Sequence, residues 1–162
     1  MANTVLTFPR RLWLDCMAEL RRRGRGLHES GCFVLGTDDG AGRRRASRCV
    51  YYDELDVAAY ASGVCVLHGD AFAKLWELCR EGGLQVLADI HTHEDLPYQS
   101  EADRCNPMIA RAGHLAVIVP WFAEWSVWRH RLGLYRYEGS HRWTNLSGWQ
   151  ARRHLKINWS WK

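Results

Sequence analysis

Two short stretches of the chain are apolar almost throughout, LQVLADIHT at positions 84–92 and LAVIV at positions 115–119. A strand with one face in water alternates apolar and polar residues, whereas a strand covered on both faces need not. Both stretches are therefore predicted to be buried strands. They are far shorter than the roughly 20 apolar residues of a membrane span. Covering both faces of such a sheet requires helices between the strands, so we expect a mixed α/β fold.

Helical and strand patterns alternate along the rest of the chain. Helices are predicted over residues 10–23, 70–81 and 108–112, and further strands over residues 31–37, 46–55, 125–129 and 132–137. Gly40 and Gly42, between the first two of these strands, predict a hairpin. The sequence contains no internal repeat and no linker. The 162 residues are therefore expected to form a single domain, 1–162.

Composition narrows the class of protein. Hydrophobic residues make up 47% and charged residues 25%, which excludes a disordered or fibrous chain. The N-terminus lacks a basic segment followed by an apolar run, so we expect no signal peptide and a cytoplasmic location. The six cysteines show no C-x-x-C spacing. In a chain that is not expected to be secreted, they are predicted to be mostly small buried apolar residues rather than disulfides.

Arginines and tryptophans are the other unusual features of the composition. The formal charge is +4, and arginines cluster at positions 21–25 and 43–45 beside glycines. These clusters are predicted to be solvated loops or helix ends, with an acidic partner or a nucleic-acid backbone as the alternative. The tryptophans, concentrated after residue 120, are expected to pack mainly in the core. Trp159 and Trp161 are the best candidates for contact with a partner.

The residues most informative about chemistry lie at the end of the strand at 84–92 and in the segment just after it. His91 and His93, two positions apart on a strand, point to the same face, and Ser100 and Asp103 follow in the next segment. Two imidazoles and one carboxylate can supply three zinc ligands and leave the fourth position to water, as in catalytic sites. An H-x-H pair alone is weak evidence for a metal site, and the serine and aspartate that follow strengthen that evidence. Cys105 is predicted to pack rather than to bind metal.

Two segments of the sequence resemble a known family. HESGCFVLG at 28–36 resembles the glutamate-bearing strand start of the JAMM/MPN+ (Mov34/JAB) zinc metalloproteases, and the spacing of His91, His93, Ser100 and Asp103 resembles their H-x-H and S-x-x-D signature. The order agrees, and the resemblance covers about residues 29–119. It implies an MPN/JAB domain with a cytidine deaminase-like fold, a mixed and mostly antiparallel sheet flanked by helices. Its core would span about 29–137, with an N-terminal helix and a Trp-rich C-terminal extension.

The same resemblance implies roles for residues and an activity. His91, His93 and Asp103 would bind one Zn²⁺ with a catalytic water, Glu29 would be the general acid/base, and Ser100 would hydrogen-bond the oxyanion. The implied enzyme is a prokaryotic-type, deubiquitinase-like isopeptidase that uses zinc-activated water. It would cleave after the C-terminus of a ubiquitin-like protein, either to mature a precursor or to remove the protein from its targets. Conjugation-pathway enzymes would be further partners, as in bacterial conjugation systems that include antiviral ones.

The sequence departs from the family pattern beside the histidines. The family usually has proline after the second histidine and seven residues before the serine, whereas this chain has Glu94 and six residues. This difference bears on the shape of the substrate groove, and Glu94 is expected to be a solvated loop residue. His68 and His114 are expected to be core or edge histidines rather than ligands. Three alternatives remain, namely a RadC-like nucleic-acid-associated protein, a non-catalytic MPN scaffold and a small-molecule amide hydrolase.

Overall fold

The computed structural model describes residues 4–158, which form one eight-stranded sheet with helices packed on it. The strands are β1 (Val5–Pro9), β2 (Gly31–Asp38), β3 (Arg43–Tyr51), β4 (Gln85–Thr92), β5 (Leu115–Val119), β6 (Gly133–Gly139), β7 (Arg142–Asn145) and β8 (Leu155–Asn158). The helices are α1 (Arg10–Gly24), α2 (Tyr52–Leu55), α3 (Ala71–Gly82), α4 (Glu101–Cys105) and α5 (Ala151–His154). Short 3₁₀ turns occur at Trp121–Ala123, Arg129–Arg131 and Gly148–Gln150.

The sheet is mixed, and its strands lie in the order β7-β6-β5-β4-β2-β3-β1-β8. The antiparallel pairs are β2–β3, β2–β4, β5–β6 and β6–β7. The parallel pairs are β4–β5, β1–β3 and β1–β8. The expected mixed α/β architecture with a mostly antiparallel sheet is thereby confirmed. Strand β4 lies inside the sheet between β2 and β5, and the crossover from β4 to β5 carries α4.

Both faces of the central strands are buried, as the apolar runs predict. On β2, Cys32 and Val34 point to the face covered by α1, where they join the cluster that contains Leu20. Phe33, between them, points to the opposite face and packs in the cluster that contains Leu75 of α3. Because side chains alternate along a strand, each face receives every second residue, and both sets must be apolar.

The two long helices end where the sequence predicts, within one residue. Arg25 follows α1 in the left-handed region at φ 52°, and Gly83 follows α3 at φ 61°. Asp70 stands at the N-cap of α3, but its carboxylate makes no capping hydrogen bond and pairs with Lys74 at 3.4 Å. Across residues 4–158, no helix combines the length and apolarity needed to cross a bilayer.

Three predicted elements are wrong. Residues 52–55 form helix α2 rather than the end of a strand, because Glu54 accepts a hydrogen bond from the Tyr51 N–H and turns the chain. Residues 108–112 are not helical, and the helix of this region is α4, which Ser100 caps. Residues 125–129 form no strand, since both edges of β6 are already paired with β5 and β7. Strands β1, β7 and β8 are not predicted at all.

The tryptophans and arginines also differ from expectation. Trp125, Trp128 and Trp149 are exposed rather than packed in the core, whereas Trp13 is buried. Trp159 and Trp161 lie outside the described residues. Two arginines that were expected to be solvated, Arg23 and Arg44, have mostly buried side chains.

Arg44 acts as a structural cross-link. It lies on β3, pairs with Asp38 at 3.0 Å, and donates to the carbonyl oxygens of Leu87 and Gly113 at 3.1 and 2.9 Å. Arg23, in the last turn of α1, is similarly held by ion pairs with acidic side chains of the 53–54 segment. These pairings occupy the guanidinium groups, so neither arginine presents a free charge to a nucleic-acid backbone.

Gly36 is predicted to be indispensable for packing β2 against its neighbours. A Cβ at this position would lie 1.9 Å from the carbonyl oxygen of Arg45 and 2.8 Å from the Leu87 side chain. We expect Gly36→Ala to lower the free energy of unfolding by about 1–3 kcal/mol, because backbone must shift to relieve the overlap. Urea denaturation measures the loss. Gly82→Ala, near the end of α3 where only Leu84 is close, is the matched control and should change stability by less than about 1 kcal/mol. Equal stability of the two variants would contradict the prediction.

Candidate metal centre

The two histidines are fixed by the end of β4. His91 is opposite Gly31 of β2 and Ile118 of β5, so its backbone is held from both sides. His93 continues the ladder, since its N–H donates to the Val119 carbonyl at 2.9 Å. The alternation of the strand sends both imidazoles to the same face, and their Nε2 atoms lie 3.1 Å apart. Two such nitrogens can approach this closely only with a proton or a cation between them.

Helix α4 brings the carboxylate to the histidines. Asp103 Oδ1 lies 3.4 Å from His91 Nε2, and Asp103 Oδ2 lies 3.3 Å from His93 Nε2. The ligand atoms of His91, His93 and Asp103 all lie within 4.8 Å of one another, which makes them a group able to hold a metal ion. The spacing of H-x-H and S-x-x-D in the sequence thus corresponds to one cluster in space.

The charges within this cluster are strongly coupled. Burial lowers the pKa of His91, but hydrogen bonds to Asp103 and Asp89 outweigh it and raise the pKa to about 10. Burial likewise raises the pKa of Asp103, and the two histidines outweigh it and hold that pKa far below its usual range. The cluster therefore favours a positive charge among its side chains. A metal cation and a proton compete for the same place.

Glu29 approaches the cluster from the loop before β2. Its Oε1 lies 3.7 Å from His93 Nε2, and its Oε2 accepts a hydrogen bond from the Cys65 N–H at 3.3 Å. Its own N–H donates to the Gly63 carbonyl at 3.0 Å, so backbone and side chain are both held by the 63–65 segment. Of the residues that the sequence singles out, Glu29 therefore lies beside the ligand group without belonging to it.

Ser100 is bonded to Asp103 in two ways. Its hydroxyl donates to Asp103 Oδ2 at 2.8 Å and accepts from the Asp103 N–H at 3.1 Å, while the Ser100 N–H donates to the same carboxylate oxygen at 2.7 Å. This reciprocal pair is a capping box that starts α4. Ser100 therefore orients a candidate ligand, and its hydroxyl proton must rotate away from Asp103 to reach a substrate.

Other residues near this segment do not join the cluster. Glu94 is exposed, as expected of a solvated loop residue, whereas Cys105 is exposed rather than packed as predicted. His68 is exposed, pairs with Asp56 at 2.9 Å and does not belong to the group around the histidines of β4. In the part of the chain that the structure describes, the metal-binding group at β4 consists of two histidines and one aspartate.

Sequence reasoning missed the buried pair behind His91. Asp89 Oδ2 lies 3.5 Å from His91 Nδ1, and Asp89 Oδ1 lies 2.7 Å from His114 Nε2. Burial raises the pKa of Asp89, but the hydrogen bonds from His114 and His91 outweigh it and lower the pKa below its usual range. A charged Asp89 accepts a hydrogen bond from His91 Nδ1–H and so favours the proton on Nδ1, which leaves the Nε2 lone pair for the cluster. The available signal was an aspartate within an otherwise apolar strand.

An open cleft adjoins the candidate centre. It has a volume of about 430 Å³ and includes Glu29, His91, Ser100 and Asp103 in its lining. The remaining walls come from the 64–67 loop, the start of α3, the segment after α4, and Trp143 of β7. Most of these other side chains are apolar, so the cleft joins a polar cluster to an apolar channel, as substrate sites commonly do.

Comparison with known proteins supports the fold but assigns no function. No family profile matches the chain. The solution structure of a protein from Desulfitobacterium hafniense aligns with a TM-score of 0.62 and 17% identity over 95% of this chain and 94% of that one. The solution structure of a protein from Salinibacter ruber aligns with a TM-score of 0.50 and 20% identity over 81% and 84%. At these identities the similarity is evidence of a shared fold alone.

Asp89 is predicted to tune the metal affinity of the cluster. We expect Asp89→Asn to weaken zinc binding by about 10- to 100-fold, because the neutral amide no longer fixes His91 Nδ1–H or adds negative charge behind the ligand. Competition titration against a chromophoric chelator measures the affinity, and circular dichroism verifies the fold. Asp95→Asn makes the same chemical change at an exposed aspartate of the next loop and should leave the affinity unchanged. Unaltered affinity in Asp89→Asn would refute this role.

Proposed function

We propose that this chain is a zinc-dependent peptidase or isopeptidase that cleaves after the C-terminus of a ubiquitin-like protein. The observation that carries the proposal is the convergence of His91, His93 and Asp103 on one point with Glu29 beside them. The resemblance of these residues to the JAMM/MPN+ signature supplies the substrate class.

The residues fit zinc by donor type and by spacing. Ligand atoms bound at about 2.1 Å around a tetrahedral zinc stand about 3.4 Å from one another. The two Nε2 atoms lie 3.1 Å apart, Asp103 Oδ1 lies 3.4 Å from His91 and Asp103 Oδ2 lies 3.3 Å from His93, so a small rotation of the carboxylate suffices to offer one oxygen to both sides. Two neutral imidazoles and one carboxylate are also a donor set typical of catalytic zinc, which keeps a position free for water. The site therefore needs little rearrangement to hold the ion.

Zinc bound there would act as a Lewis acid toward the scissile carbonyl and lower the pKa of a coordinated water to about 7. Two neutral histidines and one carboxylate leave one positive charge uncompensated at the ligand set. The nearby carboxylates of Glu29 and Asp89 reduce that excess without occupying the ligand position.

Glu29 would be the group that moves the proton. Its Oε1 faces the ligand cluster, while its Oε2 is anchored by the Cys65 N–H, so one oxygen remains directed at the site. A carboxylate held in this way can take a proton from the attacking water and deliver it to the departing amine. No side chain needs to attack the substrate, so the cysteines have no part in this chemistry.

Ser100 would stabilise negative charge that develops on the carbonyl oxygen. Its hydroxyl now donates to Asp103, and a rotation about one bond would direct it into the cleft. Its backbone N–H keeps its hydrogen bond to Asp103 during that rotation, so α4 retains part of its cap. Removal of a single donor of this kind raises the barrier by about 3–4 kcal/mol.

The cleft suits an extended, glycine-rich tail better than a bulky side chain next to the cluster. His91 and Asp103 line the cleft together with the largely apolar 64–67 loop and Met108. The alternatives find less support in the structure. For a nucleic-acid role, two of the clustered arginines are not available, because Arg23 is bound to acidic side chains and Arg44 is bound to Asp38 and to two carbonyl oxygens. A non-catalytic scaffold would not need this complete ligand set.

Zinc content is the first prediction of the proposal. We expect about one zinc per chain, measured by mass spectrometry on purified protein, because three ligands and a water complete a tetrahedron. The His91→Ala/His93→Ala variant should lose the metal while circular dichroism shows a retained fold. Glu94→Gln should keep it, since Glu94 is exposed. A chain that takes up no zinc after reconstitution would contradict the ligand assignment and favour the scaffold alternative.

Substitution of Glu29 is predicted to slow turnover strongly without loss of the metal. We expect Glu29→Gln to slow cleavage of ubiquitin-like fusion proteins by about 100-fold or more, because the amide cannot accept a proton. Zinc content should remain that of the unmodified chain. Glu94→Gln is the matched control and should cleave normally.

The choice of substrates separates the alternatives in the same assay. Cleavage of ubiquitin-like fusions that end in two glycines, with no cleavage when the glycines are replaced by bulky residues, would support the proposal. Activity on small amide conjugates without activity on any fusion would overturn the protein substrate in favour of small-molecule hydrolysis. A salt-dependent shift of DNA, again without fusion cleavage, would favour the nucleic-acid alternative.

A further inference from the structure

Three cysteines converge on one point from three different elements. Cys16 lies on α1, Cys32 on β2 and Cys49 on β3, and their sulfur atoms all lie within 4.8 Å of one another. The Sγ atoms of Cys16 and Cys32 are 3.7 Å apart. Cys16 and Cys32 are completely buried, whereas Cys49 is partly exposed. The sulfurs thus form a group inside the core that reaches solvent on one side.

This cluster is separate from the histidine cluster. Cys32 is paired with Ile90 of β4, while the neighbouring Gly31 is paired with His91. Because successive residues of a strand point to opposite faces, Cys32 and His91 lie on opposite sides of the sheet. The cysteines therefore face α1, and the proposed hydrolase chemistry does not use them.

The geometry suits a three-coordinate ion with a preference for sulfur. An ion bound to three sulfurs at about 2.3 Å in a plane holds them about 4.0 Å apart. The observed separations, from 3.7 Å to within 4.8 Å, bracket that value, so small side-chain rotations would complete the site. Within residues 4–158, no histidine, aspartate or glutamate joins the three sulfurs, so the fourth ligand of a closed zinc site is lacking.

We propose that Cys16, Cys32 and Cys49 form a second metal site, which binds monovalent copper. Soft thiolate ligands favour Cu(I), and this ion is satisfied by two or three sulfurs. Binding displaces thiol protons to solvent. Two thiolates around Cu(I) leave one net negative charge and three leave two, and the partly exposed side of the site at Cys49 limits the cost of burying that charge. The partly exposed Cys49 provides the side from which the ion enters.

The test is Cu(I) binding under reducing, oxygen-free conditions. The ion is supplied as its bicinchoninate complex to the full chain in a Cys105→Ala background, which removes the exposed thiol. We expect transfer of about one Cu(I) per chain and X-ray absorption showing only sulfur neighbours at about 2.3 Å. Cys16→Ala should weaken binding by about 100-fold or more. Cys49→Ser, which preserves volume at the partly exposed position, should do the same if the fold is retained by circular dichroism.

Matched variants separate this site from other thiols and from the histidines. Cys79→Ala removes a buried cysteine outside the cluster and should leave copper affinity unchanged. His91→Ala/His93→Ala should also retain copper, so failure of the zinc assignment would not affect this result. Failure to take copper from the chelator, equal weakening in Cys79→Ala, nitrogen neighbours in the absorption spectrum, or displacement of copper by equimolar zinc would each overturn the proposal.

Discussion

Strand β4 is the element on which the rest of the site depends. Its backbone is hydrogen-bonded to β2 on one edge and β5 on the other, so its residues cannot rotate without breaking two ladders. Ile90 therefore stays in the α1 core, and His91 on its other side is held at the opposite face. An unpaired buried backbone group costs about 1–3 kcal/mol, which makes slippage of this strand unfavourable. The precision of the histidine pair is a consequence of the sheet, not of the histidines themselves.

Helix α4, which carries Asp103, is stabilised by much weaker interactions than strand β4. Helix α4 has only five residues, none of them buried, and it begins with the capping box between Ser100 and Asp103. A helix so short is not stable by itself. The cap and the contact of Asp103 with the histidines therefore support each other, and a bound cation would strengthen both. Metal occupancy would therefore stabilise this wall of the cleft, whereas β4 is ordered by its pairing with β2 and β5.

The sequence predicts those features that arise from local pattern. Helices α1 and α3, strands β2, β4 and β5, and the ligand spacing of the H-x-H and S-x-x-D segments are all recognisable within short windows. Strand β1 and the edge strand β8 are not, because they pair in parallel with each other although about 150 residues separate them along the chain. The contact between Asp89 and His114 likewise joins positions 25 residues apart. Such long-range pairs carry no periodicity, so only the fold reveals them.

The buried aspartate behind His91 explains how the site can hold a cation in an apolar setting. Isolated, the Asp89 carboxylate would be too costly to bury as a charge. His114 satisfies one oxygen at 2.7 Å, and His91 faces the other. If a cation took the place of a proton in the cluster, His91 would be a neutral ligand whose Nδ1–H still donates to Asp89, and the negative charge of Asp89 would lie across the ring from the cation. The same carboxylate would thus stabilise a protonated histidine without metal and a metal-bound histidine with it. Its burial cost is offset in both states, which is why an aspartate can persist inside a strand that is otherwise apolar.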